Sequence, residues 1–135
     1  MEPITTIQHI DLMESVIRRV AAQEVSVELC ESIPAWWKAK GGSCPVSPAA
    51  QAIVQNTTGR WIILVKEQIS AEEVEGILGR LVFSGYLNPR ELLPTPAIFM
   101  AHLVLHELAH LQNRWGQDKE NECDEWAFEK LAVAL

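Results

Sequence analysis

Hydrophobic residues fill most positions between residues 96 and 115, so a helix built from this stretch is apolar on nearly every side. Such a helix belongs in a protein interior, and we predict a buried central helix here. Thr95 is expected to cap its start, with Pro96 at its first position. Its main polar stripe consists of His102, His106, His110 and Asn113.

A second helix is predicted to follow and to end at Leu135. Gly116 is expected to take the left-handed conformation after the central helix, and Asp118 to cap the new one. At 100° per residue, one face of this helix carries Glu120, Cys123, Asp124, Ala127, Leu131 and Ala134. The opposite face carries Glu122, Glu125 and Glu129, which we interpret as a solvated acidic stripe.

Shorter patterns predict a small sheet and two more helices. Residues 4–25 have helical hydrophobic spacing, whereas residues 25–30 alternate like a strand or else extend that helix. Residues 53–65 are predicted to form a β-hairpin around the turn at 56–59. Ser70 and Glu73 form a capping box that begins a further helix.

Two segments are predicted to be irregular because they are rich in proline or glycine. Residues 33–50 should form a long loop, which in a small domain is often functional. Residues 85–96 should form a connection with at most a single helical turn.

Length, net charge and cysteine content limit the domain number, the classes of partner and the cellular location that are expected. A length of 135 residues predicts a single domain, and a net charge of −7 argues against direct binding of nucleic acid. Neither a secretory signal nor a segment long and apolar enough to span a bilayer is evident, so no membrane partner is expected. Three cysteines without paired spacing predict free thiols and a cytoplasmic location.

The sequence HELAH at residues 106–110 matches the HExxH pattern of zinc peptidases. His106 and His110 are one helical turn apart, so both can bind one metal ion. Glu107 can then reach a water in the open position of that metal. The alternative is a chance match in which the histidines are packed core residues.

Two carboxylates on the inward face of the last helix complete this pattern. Buried carboxylates need a partner, and we predict Glu120 as the third metal ligand. Asp124 should accept the free ring N–H of a ligating histidine. Glu122 is a weaker candidate ligand because it lies on the outward face.

The HELAH motif and the run ENECDEWA at 120–127 resemble the gluzincin metallopeptidases, in particular the ImmA/IrrE-type enzymes, and also a run in the CAAX-processing proteases. Glu120 and Asp124 match their Glu-x-x-x-Asp pair. Cys123 replaces the usual alanine, a change expected to be harmless. The resemblance implies an α+β, zincin-like fold, with a small, mainly antiparallel sheet packed on the HExxH helix and a C-terminal ligand helix.

The resemblance implies a zinc-dependent endopeptidase with one Zn²⁺ per chain, acting on a protein or peptide substrate. Mn²⁺ or Fe²⁺ would also suit the ligands. Tyr86, Arg90 and His102 are candidates for stabilising the oxyanion, although His102 is better explained as a packing or orienting residue.

Two other functions fit the same residues. One is a catalytically silent zinc-binding module, for example a partner of a DNA-binding regulator. The other is a latent protease whose groove is filled by its own loop 33–50, with the Cys44 thiolate as a possible ligand in the open position.

Overall fold

The computed structural model describes residues 2–135, in which helices and short strands form an α+β fold. The strands are β1 (Ile4–Thr5), β2 (Val25–Cys30), β3 (Ala50–Val54), β4 (Trp61–Lys66) and β5 (Gln68–Ile69). The helices are α1 (Ile10–Val20), α2 (Ile33–Ala39), α3 (Ala71–Phe83), α4 (Pro89–Leu92), α5 (Pro96–Gln112) and α6 (Glu120–Ala134), with 3₁₀ turns at Thr6–His9 and Gln117–Lys119.

Helix α5 is the centre of the fold, as its hydrophobic pattern predicts. It packs against α1, α6 and the β3–β4 hairpin, and Met100, Val104 and Leu108 on it are fully buried. Its first turn is capped by Thr95, whose Oγ1 accepts a hydrogen bond from the backbone N–H of Ile98 at 3.2 Å.

The main sheet has the strand order β2–β4–β3, so β4 is central and β3 lies at an edge. The predicted hairpin is confirmed, because β3 and β4 pair antiparallel with Ala52 opposite Ile63. Strand β2 runs parallel to β4, with Val27 opposite Ile63. This sheet is therefore mixed, and the expectation of a mainly antiparallel sheet is wrong for it. The chain passes through α2 and then runs along β3 in the direction opposite to β2, so that β4 runs parallel to β2. A separate two-stranded sheet pairs β1 with β5.

The predicted helix over residues 4–25 is shorter than its pattern suggests. Ile4 and Thr5 pair with β5 instead, and Thr6 extends this attachment through Oγ1, which donates to the carbonyl of Lys66 at 2.8 Å. The regular helix begins only at Ile10. The strand predicted at 25–30 is confirmed as β2.

Residues 33–50 are not one long loop. Ser32 caps α2 by accepting from the N–H of Ala35 at 3.1 Å, and Pro34 lies in the first turn, where a proline is compatible with a helix. Trp36 and Trp37 on α2 pack against the sheet face that carries Ile53, Ile62 and Leu64. This is the face opposite the one that contacts α5, so α2 lies on the outer side of the sheet.

The link between α5 and α6 also differs from expectation. Arg114, not Gly116, takes the left-handed conformation, with φ of 55°. Asp118 makes no capping hydrogen bond, because a 3₁₀ turn leads directly into α6. The capping box of Ser70 and Glu73 on α3 is confirmed. No helix within residues 2–135 has both the length and the apolar character needed to cross a membrane.

Thr95→Ala should lower the free energy of unfolding by about 1 kcal/mol, because it removes the cap of the central helix. Urea denaturation followed by circular dichroism measures this change. Thr57→Ala, in the exposed hairpin turn, is the matched control and should leave the midpoint nearly unchanged. An equal loss in both variants would mean that the cap does not stabilise α5.

Candidate metal centre

The side chains of α5 and α6 meet at one point of the structure. His106 and His110 lie one turn apart on α5, with ring centroids separated by 5.2 Å. Glu120, the first residue of α6, places Oε2 3.0 Å from His106 Nε2 and Oε1 2.8 Å from His110 Nε2. The three residues predicted as metal ligands are thus brought together around a single carboxylate.

The other ring nitrogens of the two histidines are already engaged. His106 Nδ1 lies 2.7 Å from Asp124 Oδ1, and His110 Nδ1 lies 2.8 Å from the carbonyl oxygen of Trp115. Because a carbonyl can only accept, His110 must carry a proton on Nδ1 and donate it. Asp124, as a carboxylate, accepts from His106 in the same way, which is the role predicted for it.

This hydrogen bonding leaves both Nε2 atoms directed at the Glu120 carboxylate. A neutral imidazole presents a lone pair at Nε2 when Nδ1 carries the proton, and that lone pair repels a carboxylate oxygen placed at hydrogen-bonding distance. The arrangement is therefore stable only when a cation, either a proton or a metal ion, lies between the nitrogen and the oxygen.

The pKa values of these groups also indicate that a positive charge is stabilised between the histidines and Glu120. Burial lowers the pKa of His106, but hydrogen bonds with Asp124 and Glu120 outweigh it and raise the pKa to about 9. The hydrogen bond with Glu120 also raises the pKa of His110. Burial opposes ionisation of Glu120, yet the two histidines hold its pKa far below the usual range.

Asp124 is fully buried and is bound by groups from two other helices. Arg80 of α3 donates to it twice, at 2.5 and 3.3 Å, in addition to the hydrogen bond from His106. Arg80 was not among the residues predicted for the site. The available signal was that an inward-facing carboxylate requires a cationic partner, but no local pattern identifies which arginine supplies it.

His102 lies behind the site rather than in it. Its ring packs on Phe128 with centroids 4.3 Å apart, and Nε2 is 3.8 Å from Asp124 Oδ1, too far for a hydrogen bond. Burial lowers the pKa of His102 to about 4, so the ring is neutral at pH 7. Nε2 is buried and has no hydrogen-bond partner within residues 2–135.

Glu107 connects the centre to the sheet. Its Oε1 accepts a hydrogen bond from the backbone N–H of Ala52 on β3 at 3.0 Å, and its Oε2 lies 4.0 Å from His106 Nε2. The side chain is only 13 % exposed, and this burial is the main cause of its raised pKa. A carboxylate with a raised pKa accepts a proton more readily than an unperturbed one.

A groove with a volume of about 830 Å³ runs past these residues. One wall is β3, and the other is formed by α5 and the turn at 115–117. The backbone N–H of Gln55 pairs with the carbonyl of Arg60 across the hairpin. Because pairing alternates along an antiparallel strand, the main-chain groups of Ala50, Ala52 and Val54 face the open edge, toward the groove.

Cys123 is fully buried beside the two histidines. Its sulfur and one ring nitrogen each of His106 and His110 all lie within 4.8 Å of one another. Burial, together with the charge of Glu120, raises the pKa of the thiol to about 12. From the sequence, Cys123 was placed on the inward face of the last helix together with Glu120, but it was interpreted as a harmless substitute for alanine.

Two weaker candidates lie away from the centre. Glu122 is paired with Lys119 on the surface at 3.8 Å. Cys44 donates to the carbonyl of Val46 at 3.2 Å and contacts Gln51. Neither lines the groove among the residues that the structure describes.

The two proposed oxyanion donors other than His102 are also placed elsewhere. Tyr86 stacks on Phe128, with ring centroids 4.8 Å apart. Arg90 pairs with Glu75 at the surface. Within residues 2–135, Arg80 is the arginine that lines the groove.

The charges around the centre also fit a divalent cation. Glu107, Glu120 and Asp124 supply three carboxylates, whereas Arg80 supplies one guanidinium. With both histidines neutral, two net negative charges remain in a largely buried region, where uncompensated charge is costly. A single doubly charged ion would neutralise them.

Asp124→Asn should weaken zinc affinity by roughly ten- to a hundredfold, because it removes the charge that orients and polarises His106. Competition with a chromophoric chelator measures this affinity. Glu122→Ala, on the same helix but paired at the surface, should bind zinc as the unaltered chain does. Loss of zinc from Glu122→Ala, with zinc retained by Glu120→Ala, would show that the wrong glutamate is assigned as ligand.

Zinc affinity should also rise with pH. Protons compete with a metal ion for Nε2 of His106, and a group whose pKa is raised to about 9 holds its proton until the pH passes that value. Zinc titrations at increasing pH should show a gain of up to about tenfold per pH unit for each proton displaced. A flat profile would mean that protons and zinc do not compete there.

No protein-family model matches the chain, and neither does any curated protein or solved structure with which it was compared.

Proposed function

We propose that the chain is a zinc-dependent endopeptidase of minimal gluzincin type, which hydrolyses peptide bonds in a protein partner. The observation that carries this proposal is the Glu120 carboxylate, which lies at 3.0 and 2.8 Å from the Nε2 atoms of His106 and His110. Both Nδ1 atoms are engaged elsewhere, so a cation is required at this point. The zincin-like character of the fold is part of the proposal, supported by α6 and the edge strand β3, both of which contact α5.

Zinc suits this donor set. His106, His110 and Glu120 would hold it, which is the number of protein ligands typical of a catalytic site with one open position. When bound, zinc would act as a Lewis acid that lowers the pKa of water and polarises a carbonyl group. Asp124 keeps the proton on Nδ1 of His106, and so keeps Nε2 available as a ligand.

Glu107 is the proposed general base. Its Oε1 is held by the N–H of Ala52 and its Oε2 lies 4.0 Å from His106 Nε2. Burial raises the pKa of this carboxyl, which makes it a stronger proton acceptor. It would accept a proton from the attacking water and pass that proton to the leaving amine. A site with a purely structural metal has no use for such a base, and this disfavours the silent binding module.

The edge of β3 is the proposed substrate-binding element. An extended peptide can add to a free strand edge through main-chain hydrogen bonds, which set its register with little demand on its sequence. The outward groups of Ala50 and Val54 are placed for this pairing, while the N–H of Ala52 is bonded to Glu107. The scissile bond would then lie close to the base.

The segment 33–50, the candidate autoinhibitory loop, has two parts in this arrangement. Its first part is α2, on the outer side of the sheet and away from the groove. Val46 and Pro48, from its second part, line the groove beside Ala50. This second part forms a wall for the substrate, and we do not propose that it blocks the site.

Glu107→Gln should retain about one zinc per chain but lose peptide hydrolysis by roughly 10²- to 10⁴-fold, because it removes the base and none of the ligands. A proteome-derived peptide library, read by mass spectrometry for new termini, measures cleavage over many sequences at once, so no substrate has to be chosen in advance. Chelation should stop cleavage by the unaltered chain and added zinc should restore it.

Glu125→Gln, an equivalent change at an exposed site on α6, is the matched control and should cleave normally. Proteins captured by Glu107→Gln from cell lysate form a second test set, in case recognition needs a folded partner. If the zinc-loaded unaltered chain cuts neither the peptides nor the captured proteins, the endopeptidase proposal is wrong.

A further inference from the structure

The resemblance of the sequence to gluzincins accounts for His106, His110 and Glu120, but not for the thiol beside them. Cys123 follows Glu120 by three residues on α6, a spacing that places two side chains on one helix face. Its sulfur and a ring nitrogen of each histidine lie within 4.8 Å of one another. Helix α5 thus supplies one pair of donors and α6 supplies another.

We propose that Cys123 is a fourth protein ligand of this centre, which closes the resting site with a thiolate and must be displaced before a substrate can be hydrolysed. This inference rests on the proposed metal site and adds its regulation. The ion concerned is a borderline-soft divalent cation, namely zinc, cobalt or cadmium, since thiolate ligands favour these ions over magnesium or manganese.

The distances fit such an ion. Zinc takes nitrogen at about 2.0 Å and sulfur at about 2.3 Å, so atoms as close as these three can reach one ion after small side-chain rotations. Coordination breaks the S–H bond, forms a metal–sulfur bond and releases the proton to solvent. Two histidines, a carboxylate and a thiolate make four protein ligands, the number typical of a closed tetrahedral site.

The other two cysteines have different surroundings, which gives the proposal an internal comparison. Cys30 is buried on the outer face of the sheet with Ile33, Ile53 and Leu64, and its thiol lies 3.8 Å from the carbonyl of Val65. Cys44 packs against the same cluster. Among the described residues, Cys123 is the cysteine grouped with the histidines.

A closed resting site changes the expected behaviour of the enzyme. Water and the substrate carbonyl need the position that the sulfur would occupy, so an open three-ligand site forms only when the thiolate leaves. A peptide seated along β3 would displace it, and hydrolysis would then be restricted to peptides that bind the groove well. Removal of the thiol should relax this restriction.

Cobalt substitution of the full chain tests the proposal, because thiolate bound to Co²⁺ gives a sulfur-to-metal charge-transfer band in the near ultraviolet. The unaltered chain loaded with one Co²⁺ should show this band. Cys123→Ala and Cys123→Ser should still bind cobalt through the other ligands but should lose the band. Cys30→Ala, which removes a buried thiol remote from the site, should retain it.

Each outcome separates this inference from the proposed function. Cobalt bound without the band, or a band that persists in both Cys123 variants, overturns the thiolate ligand even if peptides are cleaved. A band that depends on Cys123, in a chain that cleaves nothing with or without the thiol, supports the ligand and overturns the endopeptidase. Failure of the unaltered chain to bind cobalt or zinc overturns both.

Discussion

The buried carboxylate of Asp124 is the interaction on which the rest of the structure depends. It lies on α6 and is bound by Arg80 from α3 and by His106 from α5, so three helices meet at a single ionised group. Breaking a buried, paired charge of this kind is strongly destabilising, because the remaining partners are left uncompensated. The same contact fixes the tautomer of His106, so the packing of the helices and the chemistry of the site are set together.

The sheet contributes to the site in a different way. Strand β4 is central and buried, and it fixes the position of β3 through antiparallel pairing. That pairing uses alternate residues of β3, and one of the remaining outward N–H groups, that of Ala52, holds Glu107. The Glu107 carboxylate, the proposed base, is therefore positioned by the same strand edge that is proposed to bind the substrate.

Local spacing allowed much of the site to be predicted. The i, i+4 relation brings His106 and His110 together on any helix, and helical phasing directs Glu120 and Asp124 inward. Arg80 was not identified as a neighbour of the site, because its position depends on how α3 crosses α5 and α6, and no short pattern encodes that. Helical spacing does put Cys123 on the inward face with Glu120, but its distance from the histidines depends on how α5 and α6 cross. The α+β class was predictable, whereas the parallel pairing of β2 with β4 depends on the path of the chain between them. Pro34 was interpreted as a break, but a proline in the first turn suits a helix, and α2 forms there.

The turn after α5 has a consequence for the groove. Gly116 was expected to be left-handed because of its residue type, but Arg114 adopts that conformation instead. The next residue, Trp115, makes two hydrogen bonds with His110. The backbone N–H of Trp115 donates to the carbonyl of His110, and the carbonyl of Trp115 accepts from Nδ1 of the same histidine. His110 thus contacts Glu120 through Nε2 and, through Nδ1 and its backbone carbonyl, holds the turn that forms one wall of the groove. A shift of the His110 ring would therefore also displace Trp115, and with it the turn that forms one wall of the groove.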